Sequence, residues 1–378
     1  MSISTLNEPA GSASANAAQR PRAIYNPMLD FLLLGGGSLI VLPFAALIPK
    51  SSAGHVLAFS FWLSFAINFP HFAHSYQIFY RDFANKLRGH GYAQHLRFRY
   101  AFAGLAVPVL IAAIFALAYA SGSPKALGLT TGAMAFFVGW HYVKQGYGIL
   151  IVDSVFRRGF FNETEKKIFR LNAYASWVFF FLLTYYTAYE SEYIGLKYYV
   201  FPTPLPLLAI AGILMLAGTA AAIWSGVQAA RRTGQNIPWN GYVAYASSLY
   251  IWLGGLLVPV VLSLVPAFHS LQYLAIVWKY EINREKHKIA ASAKKLSADT
   301  LWIRFASFVL FGSLLGASAF IFIPVLLDAS TDYDRALFGS QMFTFMFFIF
   351  INIHHYFLDN VMWRKDNPDV GRHLFGRS

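Results

Sequence analysis

Ten long apolar stretches, at 29–49, 56–80, 100–121, 127–152, 171–190, 204–228, 241–262, 264–283, 301–327 and 338–362, set the terms on which this chain can fold. An α-helix rises 1.5 Å per residue, so roughly 20 apolar residues cross the ~30 Å hydrocarbon core of a bilayer. The stretches are too long and too continuous for barrel strands, which alternate over about ten residues. Only 12% of the chain is charged, against about 25% for an ordinary soluble domain, which excludes a water-soluble globular enzyme. The expected fold is all-α, a polytopic integral membrane bundle of about ten transmembrane helices. Pro259 and Pro266 interrupt the seventh and eighth stretches and make their junction the least defined.

Residues 1–24 are rich in Ser, Ala and Asn with no apolar run, and read as a disordered cytoplasmic tail. No polar linker divides the rest of the chain, so 25–363 reads as a single transmembrane domain and 364–378 as a cytoplasmic C-terminal tail. The net charge of +13 belongs to loops and calls for no nucleic acid. With ten crossings and the N-terminus inside, 25 of the 30 Lys and Arg fall on the cytoplasmic side, and Lys50, Lys125, Lys197 and Arg335 lie opposite. Cytoplasmic loops of membrane proteins carry such an excess. The expected setting is therefore a bacterial inner membrane with both termini cytoplasmic.

Within this apolar frame the histidines stand out. The second stretch carries His71 and His74, the fourth His141, the eighth His269, and the tenth His354 and His355. Counted from the basic ends they lie roughly 6 to 14 residues deep, about 9–21 Å at the helical rise. Ionisable groups inside membranes are costly and usually serve function. Residues three or four apart share a helix face. His71 therefore neighbours His74, His141 neighbours Gln145, His269 neighbours Gln272 and Tyr273, and His355 neighbours Asp359. His354 and His355 point about 100° apart on a helix of 3.6 residues per turn. Metal-bound imidazole needs its second nitrogen fixed by an outer partner. His71, His74, His141, His269, His354 and His355 are thus candidate metal ligands. Asp359 and Tyr273 are candidates for catalysis, and Gln145 and Gln272 for orienting imidazoles around a cofactor. Pro70, with Asn68, is expected to open the second helix by removing a backbone hydrogen bond. Lys144 reads as a cation snorkelling to the interface.

Cysteine is absent, which removes thiolate zinc, iron–sulfur clusters and thiol nucleophiles. Imidazoles with one carboxylate suit iron, copper or zinc, whereas magnesium and calcium prefer oxygen. Two histidines and a carboxylate form the facial arrangement of non-haem iron oxygenases, and six histidines would serve one or two metal ions. The Phe, Tyr, Leu and Ala around them suit a lipid or isoprenoid substrate arriving from the bilayer. Two other readings use the same residues: a b-type haem carrying electrons, with Gly139, Gly146 and Gly148 making room beside His141, or a path for a metal ion or proton in a transporter.

In the placement of His71, His74, His141, His269, His354 and His355 the chain resembles the histidine-rich integral membrane non-haem iron oxygenases, namely fatty-acid desaturases and hydroxylases and the bacterial membrane carotene-cleaving dioxygenases. It departs from the desaturase boxes HxxxH and HxxHH, carrying HxxH at 71–74 and a pair at 354–355. The resemblance implies iron, dioxygen, a lipid-soluble substrate and, for some of these reactions, an electron donor.

Overall fold

The structure, a computed structural model, describes residues 23–156, 160–187, 191–292 and 298–375. The expected N-terminal tail, apart from residues 23 and 24, and positions 376–378 lie outside them. It is nearly all helix. Among the described residues eight helices are long and apolar enough to cross a membrane: α1 (Pro27–Ala45), α2 (Ala53–Tyr80), α3 (Gln94–Ala120), α5 (Glu163–Thr187), α6 (Leu205–Thr233), α8 (Val260–Ala290), α9 (Asp299–Ser330) and α10 (Met342–Met362). Two further long helices, α4 (Pro124–Phe156) and α7 (Trp239–Leu257), cover the remaining stretches. The expectation of ten crossings thus meets eight by length and apolarity. Lys125, His141, Lys144, Gln145 and Asp153 dilute α4, and Asn240, Ser247, Ser248 and three tyrosines dilute α7. One antiparallel hairpin joins α5 to α6, pairing Glu192 with Lys197. Its turn uses Ile194 and Gly195 at positive φ, which suits a tight hairpin connection.

The helices form an inner and an outer set. The apolar windows of α8 and α10 are 67% and 61% buried, while those of the other six spans are between 22 and 33% buried. Leu127 of α4, Val107 and Ile111 of α3, and Phe345 and Ile349 of α10 form one core. Tyr273 and Val277 of α8 pack with Phe79 of α2, Phe308 of α9 and Leu358 of α10 in another.

Two irregularities shape the interior. Helix α2 leaves helical geometry at Ile67 (φ −126°, ψ −56°). Pro70 has no N–H to return to Ala66, and the break falls beside that missing bond. Glycines of α9 let that helix lie close against the resumed turn, and a Cβ on Gly316 would come 2.6 Å from the Phe69 carbonyl carbon. Small residues of this kind allow close helix approach in membranes. In α1, Gly35 adopts φ 153° and kinks the helix within 32–36. A Cβ there would sit 3.0 Å from Ala244 Cα of α7 and would collide with the Ser247 hydroxyl.

At one end, Arg81, just after α2, and Arg284 bond Glu281 of α8, and Glu285 bonds Arg284 and Arg304 of α9. Lys86, in the short helix Phe83–Arg88, donates to the carbonyls of Ile78 and Phe79 at the end of α2. Within the expected C-terminal tail, Pro368–Phe375 is helical and is tied to α8 by Asn283 Nδ2 donating to the His373 carbonyl.

Candidate metal centre

Three helices bring four donors to one point. The resumed turn of α2 presents His71, α4 presents His141, and α10 presents His355 and Asp359 one turn apart. All four residues are buried, and their ligand atoms lie within 4.8 Å of one another. His355 Nε2 is 2.8 Å from His71 Nε2 and 3.2 Å from His141 Nε2. Asp359 Oδ2 lies 3.4 Å from His355 Nε2 and 3.6 Å from His141 Nε2. Adjacent nitrogen or oxygen ligands held at about 2.0–2.1 Å from a metal ion sit roughly 2.8–3.4 Å from each other, between right-angle and tetrahedral coordination. The observed spacings bracket that range.

The orientation of the donors fits the same use. With their lone pairs all turned inward the Nε2 atoms repel each other, and so they do through charge when all are protonated, whereas a neutral N–H turned inward can bond only a neighbouring lone pair. A cation between them relieves both repulsions. Asp359 Oδ2 has no hydrogen-bond partner among the described residues, a costly state for a buried carboxylate oxygen unless a cation meets it.

Outer partners hold two of the four in place. His71 Nδ1 is 2.6 Å from Ser270 Oγ. A proton on Nδ1 donated to that hydroxyl leaves the Nε2 lone pair facing the centre, the tautomer a metal requires. Tyr273 O–H donates to Asp359 Oδ1 at 2.9 Å, leaving Oδ2 for the centre. The Tyr273 hydroxyl itself meets Ser75 Oγ at 2.5 Å and accepts from Trp363 Nε1 at 3.4 Å. Both Ser270 and Tyr273 belong to α8, which supplies none of the four donors. Phe72 closes one side, stacked on His71 at 4.8 Å and edge-on to His355 at 4.8 Å.

The other expected site residues lie elsewhere. His354 faces away from the centre, bonded through Nδ1 to the Tyr76 hydroxyl and through Nε2 to the Ala103 carbonyl. His74 turns toward α9, bonded to Gln77 Oε1 and stacked on Phe308 at 4.3 Å. His269 stands beside the centre, its ring 4.8 Å from that of His141 and 5.1 Å from that of His71, and flat against Tyr142 at 3.7 Å. It is outside the four-donor group, and neither of its nitrogens has a partner among the described residues. The glutamines tie helices together and do not touch imidazole nitrogens. Gln145 Nε2 donates to the His269 carbonyl and to Gln272 Oε1, and Gln272 Nε2 donates to the Leu34 carbonyl of α1. Tyr273 orients the carboxylate. Lys144 bonds Asn360 Oδ1 and lies 5.8 Å from the Trp140 ring.

Ser75, Ser270 and Trp363 are the partners that sequence reasoning passed over. Serines in membrane helices commonly bond their own backbone one turn back, so nothing in the sequence marks these two as different. Comparison with known protein families, with curated proteins and with solved structures finds no match for this chain.

Proposed function

We propose that this protein is a membrane-embedded, metal-dependent oxidoreductase in which His71, His141, His355 and Asp359 hold one non-haem iron ion that acts with dioxygen on a lipid or isoprenoid substrate. The observation that carries the reading is the convergence of three Nε2 atoms and one unpartnered carboxylate oxygen on a single point inside an apolar bundle. Imidazole with carboxylate is the donor chemistry of non-haem iron oxygenases, and the absence of thiolate favours iron over softer ions. The spacing favours a single ion over a haem, because Nε2 atoms 2.8 and 3.2 Å apart leave no room for a macrocycle between them. The positive-inside bias of the loops supports a bacterial inner membrane with cytoplasmic termini.

Bound iron would supply activation of dioxygen. The chain's own residues do the rest. Ser270 fixes the His71 tautomer, and Tyr273 turns Asp359 so that one oxygen faces the ion. Phe72 and the surrounding apolar side chains keep bulk water from the centre and offer a wall to a hydrocarbon. Hydroxylation or desaturation would draw electrons from a separate donor, whereas dioxygenase cleavage would not.

The test is elemental analysis of detergent-purified protein with an absorption spectrum of the same sample. A single iron ion per chain without a Soret band is expected, together with dioxygen consumption when lipid or carotenoid is added. His141→Ala and His355→Ala should lose the iron and still insert. Unaltered metal content in both variants, or no metal uptake after reconstitution, would overturn the reading.

A further inference from the structure

Beside the metal centre, bordered by His269, the bundle contains a small pocket whose exposed wall is mainly apolar, with a few polar groups and no charged one. Apolar side chains of α7 and α8 make up most of this wall, Ser38 of α1, Ser247 and Ser248 of α7, His269 and Gln272 of α8 and the Tyr142 ring of α4 complete it, and there is room for a single water-sized group. The unwound turn of α1 builds it. Gly35 at φ 153° brings α1 against α7 and frees two carbonyls. That of Leu34 accepts from Gln272 Nε2 at 2.6 Å, and that of Gly35 accepts from Ser38 Oγ at 2.6 Å.

The hydrogen-bond inventory of the wall defines what fits. Ser38 donates to the Gly35 carbonyl, and Ser247 and Ser248 donate to the Ala244 carbonyl at 3.1 and 2.8 Å. Their protons are committed, so their oxygens offer lone pairs. Gln272 is occupied at both ends, its Nε2 donating to the Leu34 carbonyl and to Ser247 Oγ and its Oε1 accepting from Gln145 Nε2. His269, only 6% exposed, has two unpartnered nitrogens, and a neutral imidazole supplies one donor and one acceptor. An anion would find no cation here, and an ammonium would find no carboxylate. A neutral group that both donates and accepts satisfies the wall, and a hydroxyl does so.

We infer that this pocket is a subsite for the hydroxyl of an apolar alcohol, with His269 its recognition residue. The carbon skeleton attached to that hydroxyl would then begin one imidazole ring away from His71 and His141. The inference rests on the reading of a lipid-soluble substrate, and narrows it to a lipid or isoprenoid alcohol whose hydroxyl end is nearest the metal centre. Water shares the same chemistry, so the test separates the two.

The full-length protein in detergent is titrated with 1-hexadecanol, its methyl ether and hexadecane, with the dissociation constant followed through the ligand-induced shift in thermal unfolding. Metal content is measured on the same samples. The alcohol is expected to bind about tenfold more tightly than the ether, which cannot donate. Ser38→Ala and Ser248→Ala, on different helices, should each weaken the alcohol about fivefold to tenfold with metal content unchanged. Equal response to all three probes, or wild-type alcohol affinity in both serine variants, would show that water alone occupies the pocket and would overturn the inference. Alcohol selectivity in a protein that takes up no metal would uphold the subsite while removing the iron reading.

Discussion

Replacing Tyr273 with Phe tests whether the Asp359 carboxylate is a ligand held in place from outside. The substitution removes one oxygen and keeps the ring, which stacks on His71 at 4.3 Å. What is lost is the 2.9 Å bond from the phenol to Asp359 Oδ1, between two residues that are both almost fully buried. A hydrogen bond to a charged group is worth about 1.5–3 kcal/mol. At about 1.4 kcal/mol per factor of ten, the carboxylate should hold its ion roughly tenfold to hundredfold less tightly. Measured losses on removing outer-shell partners of metal ligands fall in the same range, about 10–100-fold. The assay is a competition titration of purified protein against a chelator, with iron(II) or cobalt(II) as the probe, run beside Asp359→Ala and with helical content checked by circular dichroism. Tyr273→Phe should fall between wild type and Asp359→Ala. Wild-type affinity in Tyr273→Phe would refute the argument, since the carboxylate would then need no outer partner and Oδ2 would not be aimed by Tyr273.

Other perturbations separate site from scaffold. His354→Ala and His74→Ala should retain full metal content in elemental analysis. His354→Ala should also cost about 1–3 kcal/mol of stability, because the buried Ala103 carbonyl and Tyr76 hydroxyl lose their partner; metal loss in either variant would redraw the ligand set. Gly35→Ala should lower the unfolding temperature, combining about 1–3 kcal/mol of backbone strain with a collision against Ser247, and an unchanged midpoint would mean the α1–α7 contact is looser than it stands here. Burial pushes the Lys86 ammonium down to about 8. The folded chain then binds fewer protons than the unfolded chain from about pH 8 up to the ordinary lysine range near 10.4, so stability should rise with pH across that window. The difference in unfolding temperature between wild type and Lys86→Met, measured from pH 7 to 10, should shift in favour of the wild type above 8, and a flat difference would show that Lys86 keeps an ordinary pKa.

The helices and their chemistry were legible in the sequence because lipid imposes a simple demand: length, apolarity and almost no charge. The histidines were legible as outliers against that background. Asp359 could be paired with His355 from spacing alone, since a helix turn joins them. A polar stripe orients a helix, and α10 carries one, Asn352, His355 and Asp359 three and four apart, which favours His355 over His354. On α2 the sequence could not say which histidine faces inward, because Asn68, His71, His74 and Gln77 spread polarity around more than one face. The orientation of α2 is set by the break at Ile67 and by the glycines of α9 against Phe69 and His74. These turn His71 to the centre and His74 to Phe308. On α10 the 100° offset separates the pair, with His355 at the centre and His354 against Ala103. The roles of Ser270 and Ser75 depend on contacts between residues almost 200 positions apart, which no local pattern encodes. The same holds for Gln272, whose spacing suggested an imidazole partner and whose bonds go to α1, α4 and α7.

Polar groups inside a bilayer must find partners within the protein, and the way they are satisfied here separates structural from functional residues. His354 has a partner on each nitrogen, and Asn172, buried in α5, bonds Tyr245. These behave as fasteners between helices. Asp359 Oδ2, His355 Nδ1, both nitrogens of His269 and Gln145 Oε1 do not have partners among the described residues and lie at the metal centre or beside it, while His74 Nε2, Asn68 Oδ1 and several hydroxyl and indole groups elsewhere also lack them. Among the described residues, the one buried unmet carboxylate oxygen and three of the four buried unmet imidazole nitrogens lie there. They collect where α8 sends His269, Ser270, Gln272 and Tyr273 in several directions at once, which only a helix surrounded by others can do, and α8 is the most buried of the spans. On the proposed reading the interior helix serves two demands through neighbouring residues: Ser270 and Tyr273 would fix the donors of an ion, and His269 leaves both of its nitrogens open beside them.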